Sequence, residues 1–263
     1  MDKEMSKLIP YLGGKRLLAK TIIPLFPKHE MYCEPFSGSA TILLEKEPST
    51  REVLNDINSD IVTLFRVVRN HLKEFISKVE WLLHSREEFD RLKAMDPSLL
   101  TDIQRSVRVY YLLKAGYAGK ISNPYLGVSR KASGGKDKPL SIYRIEESLY
   151  EIRRRLEAVT IENLPYQECI ARYDSNETLF YLDPPYFHHE SDYGKGIFNK
   201  DDFQRLKDLL KAIKGKFVMS INDVPEVRKI FSDFRSLQKK INYSAGSHHG
   251  SGKEASELII MSF

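Results

Sequence analysis

The run TLFYLDPPYF, residues 178–187, most constrains how this chain can fold. Leu179, Phe180, Tyr181 and Leu182 form an uninterrupted apolar stretch, which predicts a buried strand. Pro184 and Pro185 lack a backbone N–H and have a fixed φ, so they cannot continue a central ladder. The strand must therefore stop, leaving Asp183 and Tyr186 in a stiff, exposed turn at its carboxyl end.

The rest of the chain supplies a setting for that strand. EMYCEPFSGSATILLEKEP reads as a strand ending near Glu34, a tight turn from Pro35 to Ser39, and a helix directing Ile42, Leu43 and Leu44 to a core. Val53 and Leu54 mark a second strand, and apolar residues from Ile57 to Leu83 then keep a helical period. Strand, turn, helix, strand, turn and helix make the first half of a doubly wound sheet. Residues 66–158 are largely helical, with one helix opened by Thr101 and closed by Gly116. A Gly-, Ser-, Asn- and Pro-rich stretch, YAGKISNPYLGVSRKASGGKDKP, predicts an exposed hairpin or loop there. The α/β pattern resumes with AVTIENL, TLFYLDPPY, the helix DDFQRLKDLLKAIKG, the strand KFVMSIND, a helix begun by Pro225, and two terminal strands. The expected fold is thus an α/β, Rossmann-like doubly wound domain, residues 1–65 and 159–263. It carries an inserted, mainly helical domain with a hairpin, residues 66–158.

At 263 residues, 41% hydrophobic and 29% charged, the chain has the composition of an ordinary globular protein. Without an apolar run of bilayer length or a secretory leader, a cytoplasmic location is expected, with no membrane partner. Cys33 and Cys169 lie alone and far apart in sequence, which fits neither a disulfide framework nor a Cys-x-x-Cys metal site. The net charge of +5 is unevenly spread: residues 105–155 hold 12 Lys or Arg against 4 acids, so the remainder is acidic. Tyr110, Tyr111, Tyr117, Tyr125, Tyr143 and Tyr150 interleave with those bases. That pattern suits a polyanion-facing surface, and equally a solvated charged face over an aromatic core.

Open α/β sheets bind ligands at the carboxyl ends of their strands. Gly38 allows a ligand close to the backbone, and Asp56, 18 residues later, stands where an acid holds a ribose diol. A purely structural turn is the alternative. At the other strand end, a carboxylate or carbonyl accepts from an amino group, and a tyrosine ring stacks on a base. Acceptors on both amino hydrogens of an adenine would free a lone pair otherwise delocalised into the ring. Here the alternative is a strand cap. Two histidine pairs, His188 with His189 and His248 with His249, suggest a metal, but adjacent side chains diverge in regular structure and no metal is expected. The first pair is read as part of a mobile loop after the tyrosine.

PYLGGK at 10–15, EPFSGSA at 34–40, NDIN at 55–58, DPPY at 183–186 and SINDVPEVRKIF at 220–231 stand in one order, followed by a terminal glycine-containing loop and ELIIMSF. Together they resemble the Dam-type DNA adenine-N6 methyltransferases of the alpha group, over nearly the whole chain. The resemblance implies S-adenosylmethionine as cofactor and the adenine 6-amino group of double-stranded DNA as target. It implies cofactor contacts at Tyr11, Gly13, Gly14, Lys15, Glu34, Pro35, Phe36, Gly38, Ser39, Asp56, Asn163, Leu164 and Asp183. Asp183, Pro184, Pro185 and Tyr186 would form the catalytic turn around a flipped adenine. The basic insertion falls where that family keeps its target-recognition domain, with Lys120, Asn123, Arg130 and Lys131 the candidates for DNA contact. AGYAGK, residues 115–120, stands where family members show an FNGL-like run. Methylation of cytosine, RNA or a protein glutamine, and an inert DNA-binding protein, remain rival readings. A monomer or weak dimer is expected, with any cognate restriction endonuclease a functional rather than physical partner.

Overall fold

The computed structural model describes residues 8–10, 15–116, 124–127, 142–190, 196–243 and 253–263. Along the chain the helices and strands are α1 (Arg16–Ile22), β1 (Met31–Glu34), α2 (Thr41–Glu45), β2 (Arg51–Asn55), α3 (Ser59–Asn70), α4 (Leu72–Val79), α5 (Arg86–Ala94), α6 (Asp102–Ala115), α7 (Ile142–Leu156), β3 (Val159–Glu162), α8 (Tyr166–Tyr173), β4 (Thr178–Leu182), α9 (Lys200–Ala212), β5 (Lys216–Asn222), α10 (Pro225–Ile230), β6 (Arg235–Tyr243) and β7 (Lys253–Met261). Two compact units emerge: one holds residues 15–57 and 162–263, the other residues 1–14 and 58–161. No helix among the described residues is long and apolar enough to cross a membrane.

The sheet runs in the order β3-β2-β1-β4-β5-β7-β6. β1 pairs in parallel with β2 and β4, β4 pairs in parallel with β5, and β7 lies antiparallel between β5 and β6. Winding proceeds from β1 outward to β2 and β3, then restarts on the other side of β1 at β4. The reversal places a topological switch point between β1 and β4, where ligands of such sheets bind.

The continuous apolar run of β4 has a direct explanation in this position. All five of its residues are buried, as expected of a strand covered on both faces. Phe180 and Leu182 join Cys33, Phe217 and Met219 against α8 and α9, which contribute Cys169, Ile170, Phe203 and Leu206. Tyr181 turns to the opposite face, where its ring lies 6.2 Å from Phe26. Each fully buried Phe or Leu contributes about 1.5–3 kcal/mol. α8 is an element absent from the sequence reading, although Tyr166, Cys169, Ile170 and Tyr173 have the spacing of one helical face.

In the helical unit, α6 starts and stops as its sequence requires. Thr101 and Gln104 form a reciprocal capping box, and the N–H of Gly116 closes onto Leu112. Gly116 also bridges Leu126 in antiparallel fashion. The tyrosines of this helix are core: Tyr110 and Tyr111 are each 1% exposed, and Phe75 meets Tyr110 edge-on at 5.2 Å. Several basic residues are committed internally as well. Arg105 pairs with Asp60 and donates to Ser59 at 2.6 Å, while Arg108 donates to the carbonyl of Leu92 at 2.8 Å. The interleaved pattern of this segment is therefore, through α6, an aromatic core braced by arginines. Tyr125 and Tyr150 of this segment, 49% and 41% exposed, do reach solvent.

Candidate active site

The loop after β1 is built by turning its own polar groups inward. Glu34 is buried, and its Oε1 accepts from the Tyr32 hydroxyl at 2.7 Å and the Leu43 N–H at 2.8 Å. Burial pushes this carboxyl up to about 8, against the pull of those two donors. Glu34 thus ties the end of β1 to the first turns of α2. The backbone then reverses through Gly38 at φ 47° and Ala40 at φ 51°, conformations that favour glycine at the first position. The Gly38 N–H donates to Asp56 Oδ2 at 2.8 Å, so the expected ribose-binding acid also holds the glycine turn. Ser39 bonds Thr41 at 2.8 Å, and Phe36 packs its ring 5.2 Å from Tyr166.

Asn55, wholly buried, joins three strand ends. Its amide donates to the carbonyls of Pro35 at 2.9 Å and Leu164 at 3.0 Å, and its Oδ1 accepts from the Leu164 N–H at 2.8 Å. Asn163 donates to the Asp56 carbonyl at 2.7 Å. The two residues expected at a cofactor base are therefore fastened beside the acid expected at its ribose. In the sequence Asn55 stands next to the more conspicuous Asp56, and no local signal marks its role.

Across the switch point, β4 ends at Leu182, as its two prolines require. The turn is less exposed than expected. Pro184 and Pro185 are buried, Tyr186 is partly buried, and the Asp183 side chain keeps 26% of its surface. Stacking strands and helices on both sides of a central strand leaves its exit loop in a cleft, not on a crest.

Asp183 faces Lys15, whose Nζ lies 3.0 Å from Oδ1 and is itself 3% exposed. The same ammonium donates to the Tyr186 hydroxyl at 2.5 Å and lies 3.4 Å from Glu257 Oε2. Tyr186 in turn donates its hydroxyl proton to Glu257 Oε1. Although Lys15 Nζ is 4.4 Å from the Tyr186 ring centre, its closer approach to the oxygen makes this a hydrogen bond at the ring's edge rather than a cation over its face. Burial raises Asp183 to about 6; Lys15 opposes that rise and Glu257 adds to it. One ammonium thus serves two carboxylates.

Downstream, Asn222 at the end of β5 grips Phe187, accepting from its N–H at 2.9 Å and donating to its carbonyl at 3.1 Å. His188 follows at φ 71°, its Nε2 3.5 Å from Glu226. His189 returns its N–H to the Tyr186 carbonyl at 2.9 Å. Cys33 and Cys169, far apart in sequence, are neighbours in space: their sulfurs lie 3.7 Å apart, unbonded and buried. Neither is in a disulfide, and they meet because both belong to the one core that joins β1 and α8. Tyr11, Gly13, Gly14, Lys120, Asn123, Arg130, Lys131, His248 and His249 lie outside the described residues.

The fold and these loops define an α/β protein with a glycine turn after β1 and an acid-Pro-Pro-Tyr turn after β4, at the two strands that flank the switch point. The family model described as D12 class N6 adenine-specific DNA methyltransferase matches residues 11–245, and the chain belongs to that family. It is 25% identical over 278 residues to a DNA adenine methylase of Escherichia coli, covering 98% of this chain and 96% of that relative. A retron DNA adenine methylase of Escherichia coli is 24% identical, with 98% and 92% covered. A type II methyltransferase of a Paramecium bursaria Chlorella virus is also 24% identical, with 94% of each chain covered. The protein is an adenine-specific DNA methyltransferase, with S-adenosylmethionine as its methyl donor.

Proposed function

We propose that the methyl group is transferred at the Asp183 end of β4, onto an adenine swung out of duplex DNA. The observation that carries this reading is the half-buried Asp183 carboxylate at the switch point, held 3.0 Å from Lys15. An adenine amino group inside a duplex is paired and stacked, so a protein acting on its nitrogen must extrude the base. Asp183 and the Pro184 carbonyl then accept the amino hydrogens, drawing the lone pair out of conjugation, while the Tyr186 ring covers the base. After transfer the nitrogen carries a surplus proton, and the Asp183 carboxylate stands beside it as the first acceptor on its way to solvent.

S-adenosylmethionine, when bound, supplies an electrophilic methyl group on a sulfonium. The chain's residues fit such a molecule. Asp56, fastened to the Gly38 turn, suits the ribose hydroxyls, and Asn163 and Leu164 beside it suit the adenine end. Glu34, Pro35, Phe36, Ser39 and Lys15, with Tyr11, Gly13 and Gly14, are assigned to the remainder.

DNA contact is assigned to the basic insertion, through Lys120, Asn123, Arg130 and Lys131. The open groove of about 590 Å³ along α7 is a weaker candidate. Its lining pairs Arg69, Arg153 and Arg154 with Glu147, Glu151 and Glu157, a balance that does not suit a polyanion.

Asp183→Ala tests the central assignment. Transfer of labelled methyl groups to adenine-unmethylated genomic DNA should vanish while calorimetric binding of S-adenosylmethionine persists. Retained transfer would remove Asp183 from the reaction.

A further inference from the structure

We propose that Glu257 is a positioning residue for methyl transfer, fixing the Tyr186 ring and holding Lys15 against Asp183. The inference rests on the reading of Asp183 and Tyr186 as the base site.

Glu257 lies on β7, in register with Asn222 of β5. That pairing brings it to the end of the sheet where Asn222 grips Phe187. It is 1% exposed and followed by Leu258, Ile259, Ile260 and Met261, all buried. An apolar residue would complete this strand without the desolvation cost that a buried carboxylate carries. What the carboxylate does instead is close a ring of three side chains with Tyr186 and Lys15, to which Asp183 is joined through Lys15. Its Oε1 accepts a hydrogen bond from the Tyr186 hydroxyl, its Oε2 lies 3.4 Å from Lys15, and Lys15 reaches Asp183 at 3.0 Å.

This network joins both functional ends of the Asp-Pro-Pro-Tyr turn through two residues from elsewhere in the chain, Lys15 and Glu257. A tyrosine side chain turns about two bonds, and its hydroxyl oxygen lies on the axis of the second, so an anchor there fixes χ1 and with it the place of the ring. The ring is therefore in place before a base arrives, which avoids swinging it into position during the reaction. Lys15, shared between Asp183 and Glu257, is held where it stabilises the ionised Asp183. Glu257 acts through these neighbours and touches neither base nor cofactor in this scheme.

Glu257→Gln keeps the shape and removes the charge; Tyr186→Phe keeps the ring and removes the anchored hydroxyl. Both are measured in the full chain, with labelled S-adenosylmethionine and adenine-unmethylated genomic DNA. Loss of a charged hydrogen bond predicts a fall in kcat of about tenfold or more for either variant. KM for S-adenosylmethionine should stay near the parent value.

The double variant should lose no more than about twofold beyond the worse single, because both changes break one interaction. Asp183 is faced by Lys15, Glu257, Glu34 and Tyr181. Removing the Glu257 charge should therefore move the acid limb of kcat/KM to lower pH, a response that mere loss of packing would not give. Parental kcat in both variants, multiplicative losses in the double, or an unmoved acid limb in Glu257→Gln would each overturn the assignment. If Glu257→Gln melts early, the kcat of Tyr186→Phe decides alone. An inactive Asp183→Ala beside a fully active Glu257→Gln would sink this inference and leave the base site standing.

Discussion

The side chain of Asn222 satisfies both backbone groups of Phe187, accepting from its N–H and donating to its carbonyl. A side-chain amide is the one common group that can mimic a strand neighbour in this way. It continues the ladder past the prolines that end β4, and so fixes the residue directly after Tyr186. Asn222→Ala removes both bonds and should cost about 1–3 kcal/mol, lowering the melting midpoint by several degrees. The same change should lower kcat with little effect on cofactor affinity. A melting curve and cofactor titration check the two halves separately, and an unchanged midpoint would deny the clamp its role.

Asp183 supplies a pH dependence with a definite sign. Burial holds it up at about 6, and only the ionised carboxylate can accept from an amino group with both oxygens. Activity should therefore be constant above that value and fall as pH drops through it. The measurement is kcat/KM on DNA from pH 4.5 to 8.5, which reports groups of the free enzyme. A profile flat down to pH 5 would contradict the assignment.

Cys33 and Cys169 touch within a core that excludes solvent, and burial pushes the Cys33 thiol well above its ordinary range. Contact without exposure predicts silence toward thiol reagents. The folded protein should release almost no colour with Ellman's reagent over minutes, whereas denaturant should expose both thiols of the chain. Rapid labelling of either in the native state would show that α8 opens from β1.

Gly215 precedes β5 and is fastened by the carboxylate of Asp174, which accepts its N–H at 2.9 Å. A methyl group there would lie 2.8 Å from the Thr178 carbonyl and 3.1 Å from that of Ser175. Those are backbone atoms of the β4 entry and cannot swing aside. Gly215→Ala should destabilise the protein by about 1–3 kcal/mol through overpacking, read as a lower melting midpoint. An equal or higher midpoint would mean that the strand entry shifts without cost.

The sequence alone determined most of the elements and the ends of those that carry the site. Proline chemistry stopped β4 at Leu182, the Thr101 and Gln104 pair started α6, Gly116 ended it, and the glycine turn followed β1. These are short-range effects, settled by φ preferences, caps and periodicity within a few residues. α8 had the same kind of signal in four spaced apolar residues, but at eight residues it was too brief to stand out. The partners of the site were decided only by the tertiary structure. Lys15 meets Tyr186 across 171 residues and Glu257 across 242, and Asn55 meets Leu164 across 109. No local preference encodes such meetings. They depend on which strands become neighbours and on register, and a slip of one residue in β7 would turn Glu257 to the other face of the sheet. Burial, too, is a property of the assembled layers: it made Tyr110 and Tyr111 core, made Cys33 and Cys169 neighbours, and set the protonation range of Asp183.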